Sequence, residues 1–179
     1  MQIFQTIWTA MTTPNDIALS IVFFLLSFIE ATVILLLFTT IFNITASKKS
    51  KIIYVICISL IATLSRIVIP DPYGTFLNMI SIIFLIKFIL NATWLKSLLS
   101  EFIVIAISSV FELFMLKFYQ TALNLPYDTV MTIPIYRILF TLSIYLCIYV
   151  LYRIIKYFKF NIKLENMTKK NRTLFIVNT

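Results

Sequence analysis

The residues of this chain that could do chemistry are charged side chains inside long apolar segments. Residues 97–123 are long enough to cross a bilayer as one helix, yet they include Glu101, Glu112 and Lys117. At 3.6 residues per turn, Glu101, Glu112 and Tyr119 fall nearly on one line, with the lysine on the opposite side. Because a charge at membrane depth costs about 3 kcal/mol, we expect the carboxylates to face protein or a water-filled cavity.

Several kinds of reaction chemistry are excluded by composition. The sequence has no histidine, which excludes histidine metal sites and both Ser–His–Asp and Cys–His catalysis. Its one glycine, Gly74, leaves no glycine-rich phosphate loop. Cys57 and Cys147 lie in separate apolar segments without a CxxC motif and are interpreted as small core residues. We therefore predict no catalytic residue, no metal site and no cofactor.

The composition favours a membrane domain. Hydrophobic residues make up 61% of the 179 residues and charged residues 12%, and the apolar segments have membrane-spanning length. The net charge of +8 follows the loops, so we expect a lipid bilayer as the partner and no nucleic acid. The predicted fold is all-α, a polytopic transmembrane helix bundle. Its five helices are predicted at residues 17–42, 52–69, 75–95, 97–123 and 133–158.

The flanks of this five-helix domain, residues 14–158, differ from it in character. Residues 1–13 have amphipathic helical spacing and no positive charge, so we predict a helix lying on the membrane surface. Residues 159–172 form a basic turn. Residues 173–179 are apolar again and are interpreted as the start of a truncated sixth helix, with a natural C-terminus as the alternative.

The loops predict the orientation of the bundle. Eleven of the fifteen lysines and arginines lie in residues 43–51, 91–96 and 153–172. The segments on the other side of the predicted helices contain none. The positive-inside rule then places the N-terminus outside and residues 153–172 in the cytoplasm.

Three charged residues fall at similar depths in the predicted helices. Glu30, Lys87 and Glu112 lie about 20, 18 and 16 Å below the outer helix ends at 1.5 Å per residue. They are therefore a candidate buried charge cluster. In the alternative, Lys87 extends to the headgroups and each carboxyl group is protonated or bonded to a hydroxyl such as Ser27 or Ser108.

A second charged set lies nearer the predicted outer surface. Arg66, Lys117 and Arg137 are each one or two turns inside the boundary, and tyrosines, including Tyr119, flank them. These four residues are a candidate pocket for a ligand with a carboxylate or an apolar peptide body. The alternative is ordinary anchoring of long side chains at the interface.

The C-terminal sequence IIKYFKFNIKLENMTKKNRTLFIVN resembles a known family, chiefly over residues 156–178. It is similar to the receptor half of Gram-positive, accessory-gene-regulator-like sensor histidine kinases, which carry a GHKL ATPase domain. The resemblance implies a multi-pass sensor domain in the bacterial cytoplasmic membrane. Such a domain detects an extracellular peptide or small-molecule signal and relays a helix movement to a kinase that dimerises with a second copy.

The chain departs from that family in what it contains. It has no sixth helix, no phospho-acceptor histidine and no ATP-binding motif, so kinase activity would belong to a part outside residues 1–179. One alternative is a substrate-binding membrane subunit of an energy-coupled transporter, although the chain is poor in the small residues with which such subunits dock. A non-catalytic membrane assembly or immunity protein is a further alternative.

Overall fold

The computed structural model describes residues 2–13, 16–69, 72–160 and 162. These residues form seven helices and no strand, which confirms the all-α prediction. The helices are α1 (Gln2–Thr12), α2 (Asp16–Ile41), α3 (Lys48–Val68), α4 (Tyr73–Phe88), α5 (Trp94–Ala122), α6 (Tyr127–Thr132) and α7 (Pro134–Tyr157). The predicted sixth-helix start at 173–179, and the predicted basic turn apart from 159, 160 and 162, lie outside the described residues.

Local sequence explains where several helices begin. Ser47 Oγ accepts a hydrogen bond from the backbone N–H of Ser50 at 3.1 Å, at the start of α3. Thr93 Oγ1 accepts one from the N–H of Lys96 at 3.3 Å, at the start of α5. Such caps satisfy an amide that has no partner within the helix. Helix α7 begins instead with Pro134, whose missing N–H costs nothing in a first turn.

Asparagine follows three of the helices in the left-handed conformation. Asn43 (φ 48°), Asn91 (φ 53°) and Asn124 (φ 52°) come after α2, α4 and α5. Asparagine adopts this conformation more readily than most residues, and it ends a helix there. As a result α4 ends at Phe88, well before the predicted boundary at Leu95.

Three helices are long and apolar enough to cross a membrane: Ser20–Ile41 in α2, Trp94–Ala122 (α5) and Pro134–Tyr157 (α7). Helix α3 has 21 residues but opens with three lysines, and α4 is apolar with only 16 residues. At 1.5 Å per residue, α4 is about 24 Å long, against a hydrocarbon core of about 30 Å. The described part of the chain therefore has the helices expected of a membrane protein.

Helix α2 is the centre of the packing. It contacts α3, α5 and α7, while α3 packs on α4, α4 on α5 and α5 on α7. Many of the fully buried side chains lie toward what we call the lysine-rich end, formed by the α2–α3 loop, the α4–α5 loop and the C-terminus of α7. Fully buried side chains in this half are Leu37, Phe38, Phe42, Tyr54, Ile86, Leu90, Ser97 and Ile148.

Candidate functional site

The buried carboxylate of α5 belongs to Glu101. Ser97, Ser100, Glu101 and Val104 are all buried, and their spacing of three and four residues places them on one face of the helix. This face lies in the part of α5 nearest the lysine-rich end, and α5 packs against α2, α4 and α7. Only 3% of the Glu101 side chain is exposed, so its carboxylate lies in the interior of the bundle.

Glu101 shares the interior with Glu30 of α2 and Tyr54 of α3. Glu30 lies within electrostatic range of the Glu101 carboxyl group, and both lie within that range of Tyr54. Tyr54 is 1% exposed, and its ring packs edge-to-face on Phe38 with centroids 5.8 Å apart. Two carboxyl groups, one buried and one half-buried, and a buried phenol are therefore near one another in what we call the Glu30–Tyr54–Glu101 cluster.

A small cavity adjoins this cluster between α2, α3 and α4. Its volume is about 30 Å³, which holds an ordered water or a single ion and is far below the several hundred Å³ of organic ligand sites. The polar side chains of its wall are Ser27, Glu30, Tyr54 and Asn78. The other five wall residues are aliphatic.

Hydroxyl groups extend the polar interior along α2 and α3. Ser27 Oγ donates to the Phe24 carbonyl at 2.7 Å and lies 3.5 Å from Thr63 Oγ1. Four buried oxygen atoms of the described residues have no hydrogen-bond partner within the protein. These atoms are Ser59 Oγ, Asn78 Oδ1, Ser100 Oγ and Glu101 Oε2. Such atoms are uncommon in native interiors, where buried polar groups are paired with protein, water or an ion.

The structure does not bring together the predicted charge cluster of Glu30, Lys87 and Glu112. Because α4 ends at Phe88, Lys87 lies at the lysine-rich end, where its Nζ donates to the Ala92 carbonyl at 3.1 Å. Nζ is also 5.8 Å from the centre of the Trp94 ring.

Glu112 lies far from that lysine. It follows Trp94 by 18 residues, about 27 Å along α5, and its side chain is exposed. Glu101, rather than Glu112, is the α5 carboxylate that interacts with Glu30.

Two members of the second predicted set, Tyr119 and Arg137, lie next to Phe140. The Tyr119 ring packs edge-to-face on Phe140 at 5.5 Å, and its hydroxyl is 3.2 Å from Ser143 Oγ. The Arg137 guanidinium lies 5.9 Å from the Phe140 ring and 5.4 Å from the Phe23 ring. Tyr119 and Arg137 therefore belong to one aromatic cluster at the end of the bundle opposite the lysines.

The other two members are placed differently. Lys117 is exposed on α5, two residues before Tyr119. Arg66 is in α3, and its side chain lies outside the described residues. The prediction that these residues bind a ligand stays a prediction.

At the lysine-rich end, the chain that follows α7 contacts the end of α2. The backbone N–H of Ile162 donates to the carbonyl of Ile41, the last residue of α2, at 2.7 Å. On α7 itself, Lys156 Nζ donates to the Tyr152 hydroxyl and Arg153 to the Tyr149 hydroxyl, both at 3.2 Å. The end of α2 and the segment that follows α7 are therefore in direct contact.

The sequence interpretation missed Tyr54, Asn78 and the pairing of Glu101 with Glu30. The sequence does contain a signal that Tyr54 and Glu101 are near each other, which is their similar distance from the lysine-rich helix ends. Tyr54 is six residues into α3 and Glu101 seven residues into α5, so both lie about 10 Å from that end. The resulting group of carboxylate, phenol and amide oxygens can hold a proton, a water or a hard cation.

These side chains and their contacts define two candidate sites. They give a polar, acidic interior and an aromatic cluster with an arginine, at different depths of one helix bundle. In comparisons with known proteins, no family model, no curated protein and no solved structure matches this chain.

Proposed function

We propose that the chain is the membrane-embedded signal-sensing domain of a two-component sensor histidine kinase. It detects an extracellular peptide or small molecule and relays a helix movement to a cytoplasmic kinase domain outside residues 1–179. Three helices of membrane-spanning length support the membrane setting. The resemblance of residues 156–178 to the receptor half of such kinases supports the signalling role.

The proposal includes a membrane topology. Helices α2, α3, α4, α5 and α7 cross the bacterial cytoplasmic membrane, with the N-terminus outside and the lysine-rich end in the cytoplasm. The lysines and arginines at that end support this orientation because cytoplasmic loops carry an excess of them. Helix α1 then lies at the outer surface, where its exposed Trp8 suits the headgroup region.

The proposed relay runs along α7 and α2. Helix α7 carries Arg137 near one end and Lys156 near the other, and it packs along α2 for much of its length. The observation that carries the proposal is the hydrogen bond from Ile162 N–H to the Ile41 carbonyl. Through this contact, a shift of α7 against α2 would move the chain that leads toward the kinase.

The ligand is received at the opposite end in this proposal. Arg137 offers a guanidinium to a peptide carboxylate or carbonyl, and Tyr119 and Phe140 offer an aromatic wall beside it. Lys117 is exposed on the opposite side of α5 from Tyr119, so it adds positive charge to this end of the bundle without lining the same wall. A ligand held there would contact α5 and α7 together and so bias their packing.

A homodimer completes the proposal, since sensor kinases work in pairs. The half of α5 that lies away from the lysines exposes large apolar side chains, including Val110, Leu113 and Phe114. In a membrane this face contacts lipid or a second copy of the chain.

A disulfide crosslinking rate tests the relay. Ile41→Cys and Ile162→Cys are introduced together into the full-length protein, in a Cys57→Ser, Cys147→Ser background, and membranes are oxidised with copper phenanthroline. The probe is cell-free conditioned medium from the organism's own culture. We expect the medium to change the crosslinking rate about fivefold, the size of a typical coupling between sites.

The matched control pair is Ser27→Cys with Thr63→Cys, whose native side-chain oxygens are 3.5 Å apart between α2 and α3. This pair joins α2 to α3 rather than to the chain after α7, so its crosslinking rate should not respond to the medium. An unchanged rate for the Ile41–Ile162 pair, or an equal change in both pairs, would contradict the proposed relay.

A further inference from the structure

A polar groove lies at the lysine-rich end, between the end of α2, the start of α3 and the chain that follows α7. Its lining includes Asn43, Lys51, Lys156 and Phe160. The volume of the groove is about 290 Å³, near the lower limit of about 300 Å³ for ordinary ligand sites. The groove is therefore large enough for a phosphate group together with the glycerol attached to it.

The charged side chains described around this groove are all lysines. Lys51 of α3 and Lys156 of α7 both line it, so two ammonium groups from different helices share one space. Lys159, just after α7, lines it as well. None of the described lining residues is acidic. Like charges in one groove repel each other, and an anion bound between them is attracted to both.

The groove also offers hydrogen-bond donors to an anion. Lys156 Nζ donates to the Tyr152 hydroxyl at 3.2 Å, which uses one of its three N–H donors and holds the ammonium group in place. Asn43, in the turn after α2, adds a carboxamide with two further donors. Thr39 and Thr40 line the groove too, but their hydroxyls donate to carbonyls of their own helix. The donors for a ligand are therefore the ammonium groups and the carboxamide.

Exposed aromatic side chains surround the same place. Phe160 lines the groove and is exposed, and Tyr157 and Phe158 are exposed to 81% and 73%. Helix α7 ends at Tyr157, so in a bundle that crosses a bilayer these rings lie at the depth of the headgroups, where aromatic residues are enriched. A ligand with a phosphate and an apolar body fits this surroundings better than a free phosphate ion does.

We propose that this groove is a binding site for the phosphate of one anionic phospholipid. Lys51 and Lys156 bind the phosphate from two helices, and Asn43 donates a hydrogen bond to it. Phe160 contacts the apolar part of the lipid, whose acyl chains lie along the outer surface of α7. Charge-assisted contacts of this kind, with a basic pocket between helices, are how membrane proteins recognise particular headgroups.

The lipid site goes beyond the proposed function. A lipid in the groove contacts α3 and the end of α7 together, beside the hydrogen bond from Ile162 N–H to the Ile41 carbonyl, and stabilises that end of the bundle. It requires the membrane setting but no sensing role. Lipid binding is measured without any extracellular signal, so its failure and the failure of the proposed relay are distinguishable.

The test is native mass spectrometry of the purified chain in neutral detergent, titrated with phosphatidylglycerol or with phosphatidylcholine of the same acyl chains. We expect one phosphatidylglycerol molecule to bind saturably, about tenfold more tightly than phosphatidylcholine, because the lysines repel the choline cation. Tenfold is the effect of about one charge-assisted hydrogen bond.

The decisive variant is Lys51→Gln, which removes one of the two facing charges. We expect it to weaken phosphatidylglycerol binding about tenfold. The matched control is Lys49→Gln, the same change two residues earlier in the first turn of α3, at an exposed position outside the groove lining. It should bind phosphatidylglycerol within about twofold of the native chain, because a distant exposed charge is screened. If Lys51→Gln does not fold, Lys156→Gln is measured in its place, with the same loss expected.

Three results would overturn the lipid site. In the first, the native chain binds phosphatidylcholine as tightly as phosphatidylglycerol. In the second, Lys49→Gln weakens binding as much as the groove variant does, which assigns the binding to diffuse attraction by the basic end. In the third, millimolar inorganic phosphate displaces the phospholipid while chloride at equal ionic strength does not, which assigns the groove to a free phosphate ion.

Discussion

Gly74→Ala is expected to lower the free energy of unfolding by about 3 kcal/mol. Gly74 is in the first turn of α4, where α4 passes close to the end of α3. A Cβ atom at this position would lie 2.9 Å from the carbonyl oxygens of both Ser65 and Ile69. Both are backbone atoms, and Ser65 O already accepts the N–H of Ile69 at 3.1 Å. Neither can move without disturbing the end of α3.

Circular dichroism in detergent measures this effect as a fall in the unfolding midpoint of about 10 °C. Tyr73→Ala is the matched control because Tyr73 precedes Gly74 in α4 and is 71% exposed. We expect the control to stay close to the native midpoint. Equal midpoints for Gly74→Ala and Tyr73→Ala would show that α3 and α4 do not approach each other as described.

Phe38→Ala is expected to destabilise the bundle by a similar amount, about 3 kcal/mol. Phe38 is fully buried at 0% exposure on α2 and packs edge-to-face on Tyr54. Lipid tails are as apolar as phenylalanine, so the loss comes mainly from contacts that the smaller side chain no longer makes. The substitution also removes the ring that positions Tyr54 in the Glu30–Tyr54–Glu101 cluster.

The control for this change is Phe102→Ala on α5, where the ring is 57% exposed. It removes the same atoms from a surface position, and we expect a shift well below that of Phe38→Ala. Should Phe102→Ala prove as damaging as Phe38→Ala, the core would not lie where the structure places it.

Much of the helical framework follows from the sequence. The predicted segments 17–42, 97–123 and 133–158 differ by only a few residues from the bounds of α2, α5 and α7. Their long apolar segments and the breaks between them determine the helices with little help from tertiary contacts. Helix α6 was missed because six residues are too short for a periodic pattern to show.

The placement of Lys87 depended on one helix boundary. The sequence predicts one helix from residue 75 as far as Leu95, and this lysine then falls near the middle of that helix. The sequence Asn91-Ala-Thr93 contains both a left-handed helix stop and an N-cap, which together end α4 earlier and start α5. With the boundary moved, Lys87 is at a helix end, where its amine reaches a free carbonyl.

The choice between Glu101 and Glu112 could not be made from periodicity. Both lie on one line of α5, so helical periodicity does not distinguish one from the other. Which carboxylate is buried depends on where α2 and α4 stop covering α5, and that is a property of the whole bundle. Serines at positions 97 and 100 hint at close packing there because small residues let helices approach.

The most direct test of the account is a double-mutant cycle between Glu30 and Glu101. The central claim is that these two carboxyl groups interact electrostatically in the bundle, while Glu112 is exposed outside it. The free energy of unfolding is measured for Glu30→Gln, Glu101→Gln and the double variant, and again with Glu112→Gln in place of Glu101→Gln. We predict a coupling of about 1 kcal/mol for the first pair and additivity within about 0.3 kcal/mol for the second. Additive effects for Glu30 and Glu101, or a larger coupling to Glu112, would contradict the claim.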